Sequence, residues 1–137
     1  MYKEALGVAI EIEQVEDQTF YAELDQNKYQ MYSLGWVADY PDPQNFLDLQ
    51  FHSGSALNHS GYRNPDVDRL LEQARAERSE SRRLELYQEA ERVVVSEAPW
   101  IPLFHGVDYT LIKPYVKGLA VTAQGNYYLR RVQFVSN

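Results

Sequence analysis

Trp36, Asp39, Tyr40 and Asp42 crowd into the segment WVADYPDP, the part of this chain best suited to chemistry. The residues before Asp39 read as a strand, so its carboxylate falls at the C-terminal end of a predicted parallel strand. In open α/β sheets that end opens onto the crevices where ligands bind. A carboxylate between an indole and a phenol suits a cationic group: charge meets oxygen, and the rings cover the adjoining apolar surface. A plainer role is equally compatible with the spacing. Asp39 could cap the Tyr40-Pro41-Asp42-Pro43 turn through an Asx hydrogen bond.

Other reactive side chains form weaker patterns. His52 and His59 share a polar loop, and His105 follows the apolar run Ile101–Phe104. Metal sites usually pair ligands a few residues apart, so these read as loop histidines, with His105 able to line a cavity. No G-x-S-x-G elbow, H-E-x-x-H helix or phosphate-binding glycine loop is present. A hydrolase would have to use Asp39 or Asp42 with His52 or His105. Asp39 and Asp42 as a glycosidase pair sit in a proline-locked turn and read better as separate groups. Asn58-His59-Ser60 fits a glycosylation sequon that chance explains easily.

Composition narrows the classes. At 137 residues the chain matches one ordinary domain, and its net charge of −7 argues against nucleic acid as a partner. No apolar run approaches the roughly 20 residues that cross a bilayer. Cysteine is absent, which excludes disulfides and thiolate metal sites. Eleven tyrosines suit polar, ring-lined surfaces. The opening MYKEALG reads as the end of a helix closed by Gly7, without an N-cap or a signal peptide. A fragment is the expectation, with any targeting segment elsewhere.

The elements that must hold Asp39 follow from periodicity. Residues 8–15 alternate, with Val8, Ile10 and Ile12 on one face of a predicted strand. DQTFYAELDQNK predicts a helix capped by Asp17 that buries Phe20, Tyr21 and Leu24. YQMYSLGWV predicts a second strand, with Met31, Ser33 and Gly35 opposite Tyr32, Leu34 and Trp36. Together these suggest a βαβ crossover. Asp42 and Pro43 start a helix burying Phe46, Leu47 and Phe51; a polar loop follows, and Asn64-Pro65 starts another helix. That helix carries Val67, Leu70, Leu71 and Ala74 as one stripe. A further helix spans about Glu80 to Glu97, with Leu84, Tyr87, Ala90 and Val94 inward, and ends at Pro99. The tail from Trp100 reads as short strands broken by Gly and Pro.

GWVADYPDPQNFL, YRNPDVDRLLEQA, SRRLELYQEAERVVVSEAPWIPLFH and KPYVKGL occur in that order. Together they resemble the C-terminal portion of the extracellular solute-binding proteins of family 5, the peptide-binding components of ABC importers. The resemblance covers nearly the whole chain and is sharpest at W-x-x-D-Y-x-[DE]-P, then at R-x-x-x-Y-x-x-A-[EQ]. It implies an α/β fold, part of a periplasmic-binding-protein-like type II architecture. Residues 1–98 would belong to the second ligand-binding lobe, and residues 99–137 would return across the hinge toward the first.

It also implies a binding protein, not an enzyme, with no cofactor or metal. Partners would be a peptide or similar small solute and a membrane permease, at the periplasmic or extracellular face. In peptide-binding members the matching aspartate pairs with the ligand's α-ammonium group; here that residue is Asp39. Trp36 resembles the ring flanking the cleft, with Tyr40 beside it. His105 and Tyr109 fall at cleft or hinge positions, where Phe104-His105-Gly106 departs from the family's run of tyrosines. A stand-alone interaction domain with acidic helices is the alternative, and exposed half-cleft surface makes self-association plausible.

Overall fold

The computed structural model describes residues 2–135; Met1, Ser136 and Asn137, which the expected ranges include, lie outside it. The chain divides into two compact units, one formed by residues up to Leu34 and the other by residues from Gly35 onward.

In the first unit, helix α1 (Tyr2–Leu6) closes on Gly7, whose φ of +69° and amide bond to the Lys3 carbonyl at 3.1 Å make the expected glycine cap. Helix α2 (Asp17–Leu24) forms where expected, but its N-cap is Glu16, not Asp17. Glu16 Oε2 accepts the amides of Gln18 and Thr19 at 3.1 and 3.2 Å. Asp17 already lies inside the first turn, so its side chain is one residue too late to cap. Leu24 is buried and Phe20 half-buried, as two residues four apart on one helix face should be. Tyr21 lies one step round the helix and is 53% exposed, contrary to the expected burial.

The predicted strands at 8–15 and 29–37 do not form, and with them goes the βαβ crossover. Alternation alone does not make a strand; backbone groups must find a ladder partner. Among the described residues the only paired strands lie in the tail. The alternation nonetheless survives as exposure. Tyr32, Leu34 and Trp36 are half-buried, and Met31, Ser33 and Gly35 are exposed.

In the second unit, three helices enclose one apolar core. Helix α3 (Gln44–Phe51) contributes Leu47 and Phe51; α4 (Pro65–Ala76) contributes Val67, Leu71 and Ala74. Helix α5 (Glu80–Glu97) adds Leu86, Tyr87, Ala90 and Val94. Asn64 caps α4 as expected, accepting the amides of Asp66 and Val67 at 2.9 and 3.3 Å ahead of Pro65. Two inward assignments shift. Phe46 is 43% exposed because Asn45, Leu47 and Asp48 hold the buried face of α3, and Leu86 replaces Leu84 among the fully buried residues of α5. Trp100 packs on Phe51 with ring centroids 4.8 Å apart.

Helix α5 ends at Ala98, whose φ of +48° is left-handed, directly before Pro99. Residues 101–113 form no regular element. Beyond them β1 (Val116–Lys117) pairs antiparallel with β4 (Gln133–Phe134), and β2 (Ala120–Val121) with β3 (Tyr127–Tyr128). Gly118 is required there: its φ is +76°, and a Cβ would stand 1.9 Å from the Arg131 carbonyl oxygen.

Candidate functional site

Pro41 and Pro43 bracket the turn that leads into α3, and the turn is closed by its own backbone. The Asp42 amide donates to the Tyr40 carbonyl at 2.9 Å, and the Asn45 amide to the Asp42 carbonyl at 3.1 Å. Asp42 supplies the capping carboxylate: its Oδ1 accepts the Gln44 amide at 3.0 Å. The helix itself starts at Gln44, two residues after that cap, with Pro43 in helical geometry. Asp39 takes no part in the capping, so the Asx reading of Asp39 fails for a plain reason. Asp42 occupies that role.

What holds Asp39 is Asn45, fully buried in the first turn of α3. Asn45 Oδ1 accepts the indole N–H of Trp36 at 3.0 Å and the backbone amide of Asp39 at 3.1 Å. Its Nδ2 donates to Asp39 Oδ2 at 3.4 Å, a long bond. One amide side chain therefore fixes the indole and the aspartate together. The Asp39 side chain remains exposed, with no donor to Oδ1 among the described residues. Tyr40 is 43% exposed, and its hydroxyl bonds the Gln44 side-chain carbonyl. A carboxylate held by one side-chain amide and left open to solvent can accept further charge-assisted hydrogen bonds.

Sequence reasoning missed Asn45. Its spacing from Asp39 matches no short motif, and an asparagine beside a proline turn reads as turn chemistry.

A second layer supports the turn. Arg83 on α5 grips Asp42 through both nitrogens, Nη1 to Oδ1 at 2.9 Å and Nη2 to Oδ2 at 2.7 Å. That guanidinium holds the Asp42 carboxyl below its ordinary value, helped by the Gln44 amide. Arg83 also lies over the Tyr87 ring, 5.6 Å from its centroid. The Tyr87 hydroxyl donates to Asp48 Oδ2 at 3.3 Å, while Arg75 Nε donates to Asp48 Oδ1 at 2.8 Å. Burial, with the Asp48 carboxylate beside it, pushes the Tyr87 hydroxyl up to about 12.

The remaining candidates stand apart from this cluster. His105 and Tyr109 lie in the irregular segment after α5; Tyr109 is 86% exposed and His105 is exposed. Neither makes a hydrogen bond, ion pair or ring contact with Trp36, Asp39 or Tyr40. His52 is committed elsewhere: Nδ1 accepts the Gly54 amide at 3.0 Å, leaving Nε2 to donate to Glu72 at 3.2 Å. A His52 partnership with Asp39 or Asp42, one of the pairings a hydrolase could use, is therefore not assembled. Among the described residues no cluster of three potential metal ligands occurs.

Comparison with known proteins sets this geometry in a family. Residues 1–58 match the model for bacterial extracellular solute-binding proteins, family 5 middle. The oligopeptide-binding protein OppA of Bacillus subtilis is 31% identical over 98% of this chain, and the periplasmic murein peptide-binding protein MppA of Escherichia coli is 30% identical over 98%. The chain spans about a quarter of the length of each of these relatives. The solved structure of the E. coli murein tripeptide binding protein MppA superposes with a TM-score of 0.80 at 29% identity, covering 99% of this chain and 27% of that one. The architecture is accordingly α/β, part of a periplasmic-binding-protein-like type II fold. Matched by the family model over residues 1–58 and similar to peptide-binding relatives along 98% of its length, this chain resembles the bacterial extracellular solute-binding proteins of family 5.

Proposed function

We propose that this chain is a section of a non-enzymatic solute-binding protein that captures peptides outside the cell membrane and hands them to an ABC permease. Asp39 is the anchor for the peptide's α-ammonium group, and Trp36 and Tyr40 are the rings beside it. The observation that carries this reading is the Asp39 carboxylate itself, oriented by Asn45, spared from capping the turn and open to solvent. A bare ammonium buried in a cleft is costly unless it is paired and hydrogen-bonded, and a fixed carboxylate supplies both. Further support comes from relatives whose names describe oligopeptide and murein peptide binding.

In the same proposal residues 1–98 belong to the second ligand-binding lobe, and residues 99–137 return across the hinge. His105 and Tyr109, on that return segment, complete the cleft in the closed protein. Recognition of a terminus and main chain leaves the peptide's side chains free to vary. Titration calorimetry of the full-length protein tests this with trialanine and N-acetyl-trialanine. Loss of one charge-assisted hydrogen bond should weaken the acetylated peptide by roughly ten- to hundredfold. Equal affinities would overturn the anchor.

A further inference from the structure

Asp42 stands between the two residues that matter most to the site, and every polar group it owns is engaged. Its amide goes to Tyr40, its carbonyl to Asn45, one carboxylate oxygen to the Gln44 amide, and both oxygens to Arg83. Arg83 reaches Asp42 from 41 residues further along the chain, so this contact is tertiary and closes no local loop. Its geometry is the planar fork that matches guanidinium to carboxylate, which a lysine cannot reproduce. Both side chains are about three-quarters shielded from solvent, unlike the exposed pairs Arg69–Asp66 and Arg82–Glu85.

Arg83 is in turn held from behind. Tyr87 lies beneath it, and the Tyr87 hydroxyl leads to Asp48, a carboxylate only 2% exposed that Arg75 neutralises from α4. A continuous path therefore runs from the proline turn through Arg83 and Tyr87 to the buried Asp48 carboxylate, whose ion pair with the exposed Arg75 joins α3 and α4. Surface salt bridges add little to stability, so a pair this ordered and this well backed suggests a role in placement.

We propose that Arg83 is a positioning residue for ligand binding: by clamping Asp42 it fixes the turn on which Asn45 brackets Asp39 and Trp36. This rests on the anchor reading of Asp39. Arg83 does not touch the ligand; it acts through Asp42 and the turn backbone. In family terms, the R-x-x-x-Y segment would be the support of the W-x-x-D segment.

The test uses the full-length protein with R83M, R83K and D39N, read by trialanine affinity and by hydrogen–deuterium exchange of the segments covering 36–47 and 65–76. R83M should raise exchange in 36–47, leave 65–76 protected and weaken trialanine by about tenfold. R83K keeps the charge but not the fork, so it should remain weakened; it is also the milder variant should R83M unfold. Unchanged exchange in 36–47, or full affinity in R83K, would overturn the positioning role. Affinity lost in D39N but kept in R83M, with raised exchange, would overturn that role while sparing the anchor. Affinity kept in D39N would overturn the anchor, and the positioning role with it, while the exchange map still reads the clamp.

Discussion

Removing the Asn45 side chain, itself fully buried, strands two donors at once, the Trp36 indole N–H and the Asp39 backbone N–H. Unsatisfied polar groups of this kind cost about 1–3 kcal/mol each when buried. Asn45→Ala should therefore lower the free energy of unfolding by about that amount, measured by urea denaturation, and should weaken peptide binding as well. An unchanged unfolding midpoint would mean that water replaces the amide without loss. Asp42 makes a separate prediction. Its folded pKa lies below the ordinary aspartate value of about 4. The Arg83 pair therefore stabilises fully above that value, and the contribution is lost as pH falls through the lowered one. Thermal midpoints between pH 5 and pH 2 should drop less steeply for Asp42→Asn than for the parent chain. Parallel slopes would remove Asp42 from the acid response. At this scale the sequence made Asp39, Trp36 and Asp42 visible through one motif. It hid Asn45, whose role depends on how the turn folds back on α3, and Arg83, whose role exists only once distant segments meet.

Helices were legible because each carries its own instructions. Asn64-Pro65 marks the start of α4, the Val67–Leu71–Ala74 stripe marks its buried face, and Gly7 marks the end of α1. Strands were not, because alternation specifies a face and leaves the ladder partner unnamed; residues 8–15 and 29–37 keep the pattern without the pairing. Single-residue errors follow the same logic. Tyr21 and Phe46 are apolar enough to bury but point away from the face their helices use. Two element-level tests follow. Ala98 caps α5 in the left-handed region, a conformation costing a non-glycine residue roughly 1–2 kcal/mol. Ala98→Gly should therefore raise the unfolding free energy, partly offset by the freedom glycine gains in the unfolded chain. Leu71 is wholly buried between α3 and α5, and Leu71→Ala should cost about 2–5 kcal/mol. If chemical denaturation shows less than 1 kcal/mol for that substitution (an estimate from the same series), the core is looser than its burial indicates.

Across the whole molecule, apolar exposure is concentrated in the segment after α5. Leu103, Phe104, Val107, Tyr109 and Leu111 are each at least 70% exposed, while α3, α4 and α5 expose only Phe46 and Val95 among their large apolar residues. Exposed apolar stretches of that kind mark surfaces that another polypeptide covers. The 137-residue chain by itself should therefore self-associate, seen as a scattering mass that rises with concentration. Limited proteolysis should cut first between residues 101 and 113 and leave the three-helix core intact. A monomer at all concentrations with a protected 101–113 segment would contradict both expectations. The most direct measurement for the anchor is a four-way calorimetric comparison of the full-length protein and its D39N variant, each titrated with trialanine and N-acetyl-trialanine. If the Asp39 carboxylate holds the ammonium, the parent should prefer the free amine by tenfold or more, and the preference should fall to about one in the variant. The same preference in both proteins would show that the peptide terminus is held by some other group.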